Sequence, residues 1–216
     1  MLTFAEEITL LLLDDEAGKL APIDATTLHV AFAGAVLMDL ALRDRLDSDL
    51  DTLMLVDKAP TGEPLLDECL AQIATEQRTH DTGYWVLALA SRGEQLLEQA
   101  LSRLVDRGIL RLVDKKLMWV FETRRYPVID NREEREVKRR LIDALMTDEI
   151  PDSRDIVLIC LVEACSILPL ILTARELDSA APRIAQLKKM DLIGQAMAKV
   201  LTDAQNQLAM AAMPHG

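Results

Sequence analysis

Thr3 and Glu6 stand at the spacing of a capping box, in which a threonine hydroxyl and a carboxylate three residues on satisfy each other's backbone N–H groups at the start of a helix. The leucine-rich stretch 8–13 follows directly, then a turn ending at Gly18. A second apolar stretch, capped by Thr26 or Thr27, runs to about Arg43. Its Ala31, Ala33, Gly34 and Ala35 are small, so another element must pack closely there. The chain is 50% hydrophobic but only 3% aromatic, which leaves its core to Leu, Ile, Val, Met and Ala. The unbranched members of that set favour helix. The expected fold is therefore mainly α: one globular helical domain over 1–216, core about 2–201 and tail 202–216, with a central apolar helix and one or more short β-hairpins.

The rest of the chain fits that expectation. Residues 46–56 read as a short strand pair or an irregular arm, and 60–62 as a turn. A helix over 65–76 buries Leu66, Leu70 and Ile73, and 80–83 reads as a loop. Residues 94–107 form an amphipathic helix with Leu97, Leu101 and Leu104 on one stripe, closed by Gly108. Next come 109–113, a turn at 114–116, and 117–121, an order shaped like a winged-helix wing. A charged helix over 133–147 follows a loop around Pro127. Residues 152–172 are expected to be the central helix. Their apolar run, 156–172, is broken by Glu163 and Pro169 and falls short of the roughly 20 residues a membrane span needs. Stretches 174–185 and 189–202 complete the helical pattern.

The chemistry is sparse. A net charge of −12 repels anionic polymers and bilayers at long range. Cys69, Cys160 and Cys165 form no CxxC pair and read as buried free thiols of a reducing cytoplasm. The acidic N-terminus has no secretory pattern. His29, His80 and His215 lack metal-ligand spacing, and Asp14, Asp15 and Glu16 lack the calcium-loop pattern, so no metal or cofactor is expected. No nucleophile elbow or glycine-rich phosphate cradle occurs, and Cys165 beside Glu163 lies in an apolar helix where a thiolate is disfavoured; no catalytic residue is assigned. Positive charge concentrates at Arg124, Arg125, Arg132, Arg135, Lys138, Arg139 and Arg140, after Lys115 and Lys116. Glu133, Glu134 and Glu136 are interleaved, some at helix-pairing distance from Arg139 or Arg140. The cluster is either a salt-laced helix or a patch for anionic lipid or an acidic partner. A winged-helix DNA reader is the rival class, but Glu94, Glu98 and Asp106 oppose Arg103 and Arg107 on its would-be recognition helix. No nucleic-acid partner is expected.

Several blocks carry a resemblance: 2–13, 31–46 ending Leu-Ala-Leu-Arg-Asp-Arg-Leu, 59–70 with Ala-Pro-Thr-Gly and Leu-Leu-Asp-Glu, 104–110, and 138–142 after Tyr126-Pro127. In this order and spacing the chain resembles the Golgi phosphoprotein 3 family over about 2–201. The resemblance implies a helical, non-enzymatic, phosphoinositide-binding peripheral membrane adaptor at the cytoplasmic face. Eukaryotic members hold phosphatidylinositol 4-phosphate between a tryptophan and several arginines. Those positions fall here on Asp24 for the tryptophan, and on Ala33, Glu94 and Leu97 for three arginines. A hydrogen bond to a charged group contributes about 1.5–3 kcal/mol. Losing three removes on the order of 5–9 kcal/mol, against about 8 kcal/mol for micromolar binding. The expectation is a retained fold with a degenerate headgroup pocket. The family hairpin that aids membrane contact is assigned to 147–154, short and acidic here. These departures fit a bacterial member. The working alternatives are loose anionic-lipid contact through residues 124–140, or a soluble cytoplasmic protein-interaction module, partnered by another protein or by its own copy.

Overall fold

A computed structural model describes residues 1–14, 18–49, 52–117, 121–147 and 149–190, with positions 193, 195, 196, 199, 202 and 203. Thr3 caps α1 (Phe4–Leu12) with both halves of the capping box in place, and every residue of this helix is buried. After the turn, Gly18 at φ +60° accepts the Tyr126 N–H on its carbonyl at 2.8 Å. A Cβ there would lie 2.4 Å from the Pro127 nitrogen, so only glycine permits the approach.

Asp24, rather than Thr26 or Thr27, caps α2 (Ala25–Leu42): its carboxylate accepts the Thr27 N–H at 2.9 Å. Thr27 is itself buried, one turn inside the helix, and is not placed to cap it. From Val30 to Leu40 the helix is enclosed on all sides, with α1, α3, α4, α5 and α7 packed around it. An all-round apolar helix requires such a position. Among the described residues it is the one helix long and apolar enough to cross a membrane, and here the protein itself covers it.

The centre of the fold is therefore α2, and the expectation of a central helix over 152–172 is overturned. That stretch stops early: α7 spans Ser153–Ala164, Ser166 turns the chain at φ +55°, and Pro169 sits in a single 3-10 turn, Leu168–Leu170. Proline cannot continue the ladder of a helix interior.

Residues 46–56 do contain strands: β1 (Leu46–Ser48) pairs antiparallel with β2 (Leu53–Leu55). The second hairpin pairs β3 (Val113–Leu117) with β4 (Phe121–Arg125). Asp114, Lys115 and Lys116, read as a turn from sequence, lie inside β3, and the intervening residues 118–120 fall outside the described set. Both strands of a two-stranded ribbon are edge strands, which tolerate charge, so consecutive charges do not by themselves mark a turn. The hairpin assigned to 147–154 is not found there: the described residues of that stretch form no strand, and a hairpin precedes α6 instead.

The remaining helices are α3 (Pro64–Thr75), α4 (Thr82–Ala90), α5 (Gly93–Asp106), α6 (Arg132–Met146) and α8 (Ala174–Leu187). Residues 80–83 are only half loop. Asp81 caps α4, and Thr82 and Gly83 form its first turn. The Thr61-Gly62 turn is held by Asp67 of α3, which accepts the Thr61 N–H (2.6 Å), the Thr61 hydroxyl (2.7 Å) and the Gly62 N–H (3.2 Å). Those bonds hold the Asp67 carboxyl below its ordinary pKa although its partial burial pushes the other way.

Candidate functional site

The four positions implied by the headgroup pocket lie at the α2 N-terminus and where α2 meets α5. Gly93, at the start of α5, packs directly on α2: a methyl there would fall 2.4 Å from His29 Cβ. Ala33 lies one turn beyond His29, and Leu97 one turn beyond Gly93, so each shares a face with a contact residue. Ala33 is 0% exposed. Leu97 is half-buried and packs against both apolar clusters of the core. Glu94 faces solvent in the first turn of α5, and Asp24 is committed as the α2 cap, its pKa lowered by its hydrogen bonds with Thr27. No cation occupies any of the four positions. His29 serves packing.

The strongest concentration of charge is elsewhere, around α1, and sequence reasoning found only its edge. Glu6 (0% exposed) receives Arg103 Nε at 3.2 Å and Arg107 Nε at 3.0 Å, and Arg103 also reaches Glu63. Glu7 (1% exposed) receives Arg140 Nη1 at 2.9 Å and Arg154 Nη2 at 3.1 Å. Arg154 also covers the Phe4 ring at 4.2 Å and donates to the Leu2 carbonyl at 2.8 Å. Asp39 of α2 accepts the Phe4 N–H at 2.7 Å, so one helix supplies the cap of another. Burial pushes the Asp39 carboxyl up to about 6, against the pull of the Phe4 N–H and of Arg154 and Arg43. Burial opposes the charge of Arg140, but Asp155 at 2.6 Å and Glu7 hold its pKa above the ordinary value. Two consecutive glutamates inside a leucine-rich helix were the sequence signal for this network, since an acid on a fully buried helix needs a buried cation.

The basic cluster divides. Arg140 belongs to the α1 network and not to a surface; its partners are Glu7 and Asp155 rather than a glutamate one turn away. Lys138 pairs with Glu134, Arg139 with Asp143 at 2.9 Å, and Arg132 with Glu133 at 3.3 Å. Arg135 donates to the Asn131 carbonyl at 3.4 Å. Arg125 is half-buried at the end of β4, and the side chains of Lys115, Lys116 and Arg124 lie outside the described set. The helix is salt-laced, and α5 likewise has Arg103 and Arg107 drawn inward to Glu6, which strips the would-be wing's helix of free cations.

Cys69, Cys160 and Cys165 are buried thiols. Burial pushes the Cys165 thiol up to about 12 and the Cys69 thiol up to about 11, which removes thiolate chemistry at neutral pH. Asp15, Glu16 and His215 lie outside the described residues.

Fold and site together define a mainly helical domain whose buried charges join α1 to its neighbours and whose four positions implied by the resemblance are apolar or acidic. The chain belongs to the Golgi phosphoprotein 3 family: the family profile, Golgi phosphoprotein 3 (GPP34), matches residues 4–204. It is 30% identical over 164 residues to a vacuolar protein sorting-associated protein 74 of Schizosaccharomyces pombe, covering 67% of this chain and 48% of that protein. It is 26% identical over 211 residues to the protein of the same name from Eremothecium gossypii, covering 82% of this chain and 63% of the relative. The chain thus spans less than two thirds of either relative's length. Both organisms are fungi, and neither match supports a bacterial placement.

Proposed function

We propose that this protein is a non-enzymatic adaptor on the family scaffold that has lost the phosphatidylinositol 4-phosphate pocket and works through protein contacts at the cytoplasmic face of a membrane. On this reading 1–216 act as one domain. The observation that carries the reading is the fate of the pocket's cation positions: Ala33 is sealed in the core, Leu97 packs apolar surface, and Glu94 presents an acid to solvent. An anionic headgroup there would face repulsion and find no charge-assisted donor.

A second reading, loose contact with generic anionic lipid, is favoured by the β3–β4 hairpin. Its strands carry Lys115, Lys116, Arg124 and Arg125, and the sequence between them, Leu117-Met118-Trp119-Val120-Phe121, is apolar with one tryptophan. Cations flanking an apolar, tryptophan-bearing segment suit a bilayer interface, and each adds about 1 kcal/mol near an anionic surface. Co-sedimentation with neutral, phosphatidylserine and phosphatidylinositol 4-phosphate vesicles, at low and physiological salt, separates the readings. The adaptor reading predicts no excess pelleting with the phosphoinositide over phosphatidylserine at matched charge. Salt-sensitive pelleting with both anionic vesicles supports the hairpin reading, and pelleting with the phosphoinositide alone overturns the lost pocket.

A further inference from the structure

We draw no further inference here: the strongest candidate, the surface patch of exposed apolar side chains Met54, Leu55 and Val56 on and just after β2, carries nothing because no feature of the structure shows what covers it.

Discussion

Glu7 and Glu94 are both glutamates near the start of a helix, yet their surroundings give them opposite roles. Glu7 is buried and carries two guanidiniums, and with Glu6 and Asp39 it ties α1 to α2, α5, α6 and α7. Glu94 stands in solvent on the α2–α5 side of the molecule, where the proposed reading places the lost cation positions at Ala33 and Leu97. The difference teaches where the family resemblance resides. The blocks that carry it hold joints: Thr3 and Glu6 in the capping box, Asp39 at the head of α1, Thr61 and Gly62 on Asp67, Arg140 on Glu7 and Asp155. A scaffold can keep these while its ligand-facing positions change, because the two sets share few side chains.

The comparison breaks most readily at Glu7. Glu7→Ala leaves Arg140 and Arg154 partly buried with one partner fewer each. A loss of about 3–5 kcal/mol is expected in urea unfolding, whereas Glu94→Ala should stay within about 0.5 kcal/mol. Equal effects would erase the distinction between joint and face.

Next in size is the pH response of Asp39. Its folded pKa, about 6, lies above the ordinary 3.8. Its stabilising contribution is therefore fully present below about pH 4 and is lost as pH rises through 6. That difference of two units corresponds to about 3 kcal/mol. Asp39→Asn, which can still accept the Phe4 N–H, should flatten this part of the stability profile. Asp24 and Asp67, with lowered values, act in the opposite sense at lower pH.

The α2–α5 contact sharpens the comparison from the other side. Gly93→Ala places a methyl against His29, and overpacking of this kind costs about 1–3 kcal/mol, measurable as a lower Tm. The smallest effect belongs to the exposed ridge of α6. Arg139→Glu breaks only the pair with Asp143 and should cost less than about 1 kcal/mol in urea unfolding.

The helical class and most helices were legible because an aliphatic core must repeat at helical period. Leu97, Leu101 and Leu104 placed α5, and Thr3 with Glu6 placed the start of α1, from local rules alone. The central helix was misplaced because burial is a tertiary property. Residues 156–172 are as apolar as a core helix, but Ser166 and Pro169 end it, while the small residues of α2 let its neighbours close around it. The partners of the arginines were hidden for the same reason. Arg140 is 133 positions from Glu7, and no spacing rule reaches that far. Arg139 and Lys138, left open between a salt-laced helix and a surface patch, have partners one helical turn away, within reach of a spacing rule.

The central claim is that the scaffold persists while the cation positions of the headgroup pocket have been lost. Its most direct test compares the natural chain with Glu94→Arg/Leu97→Arg on phosphatidylinositol 4-phosphate vesicles and on phosphatidylserine vesicles of matched charge. The account predicts that the natural chain shows no preference for the phosphoinositide and that the double variant gains one of about tenfold or more. A preference already present in the natural chain, unchanged in the variant, would contradict it.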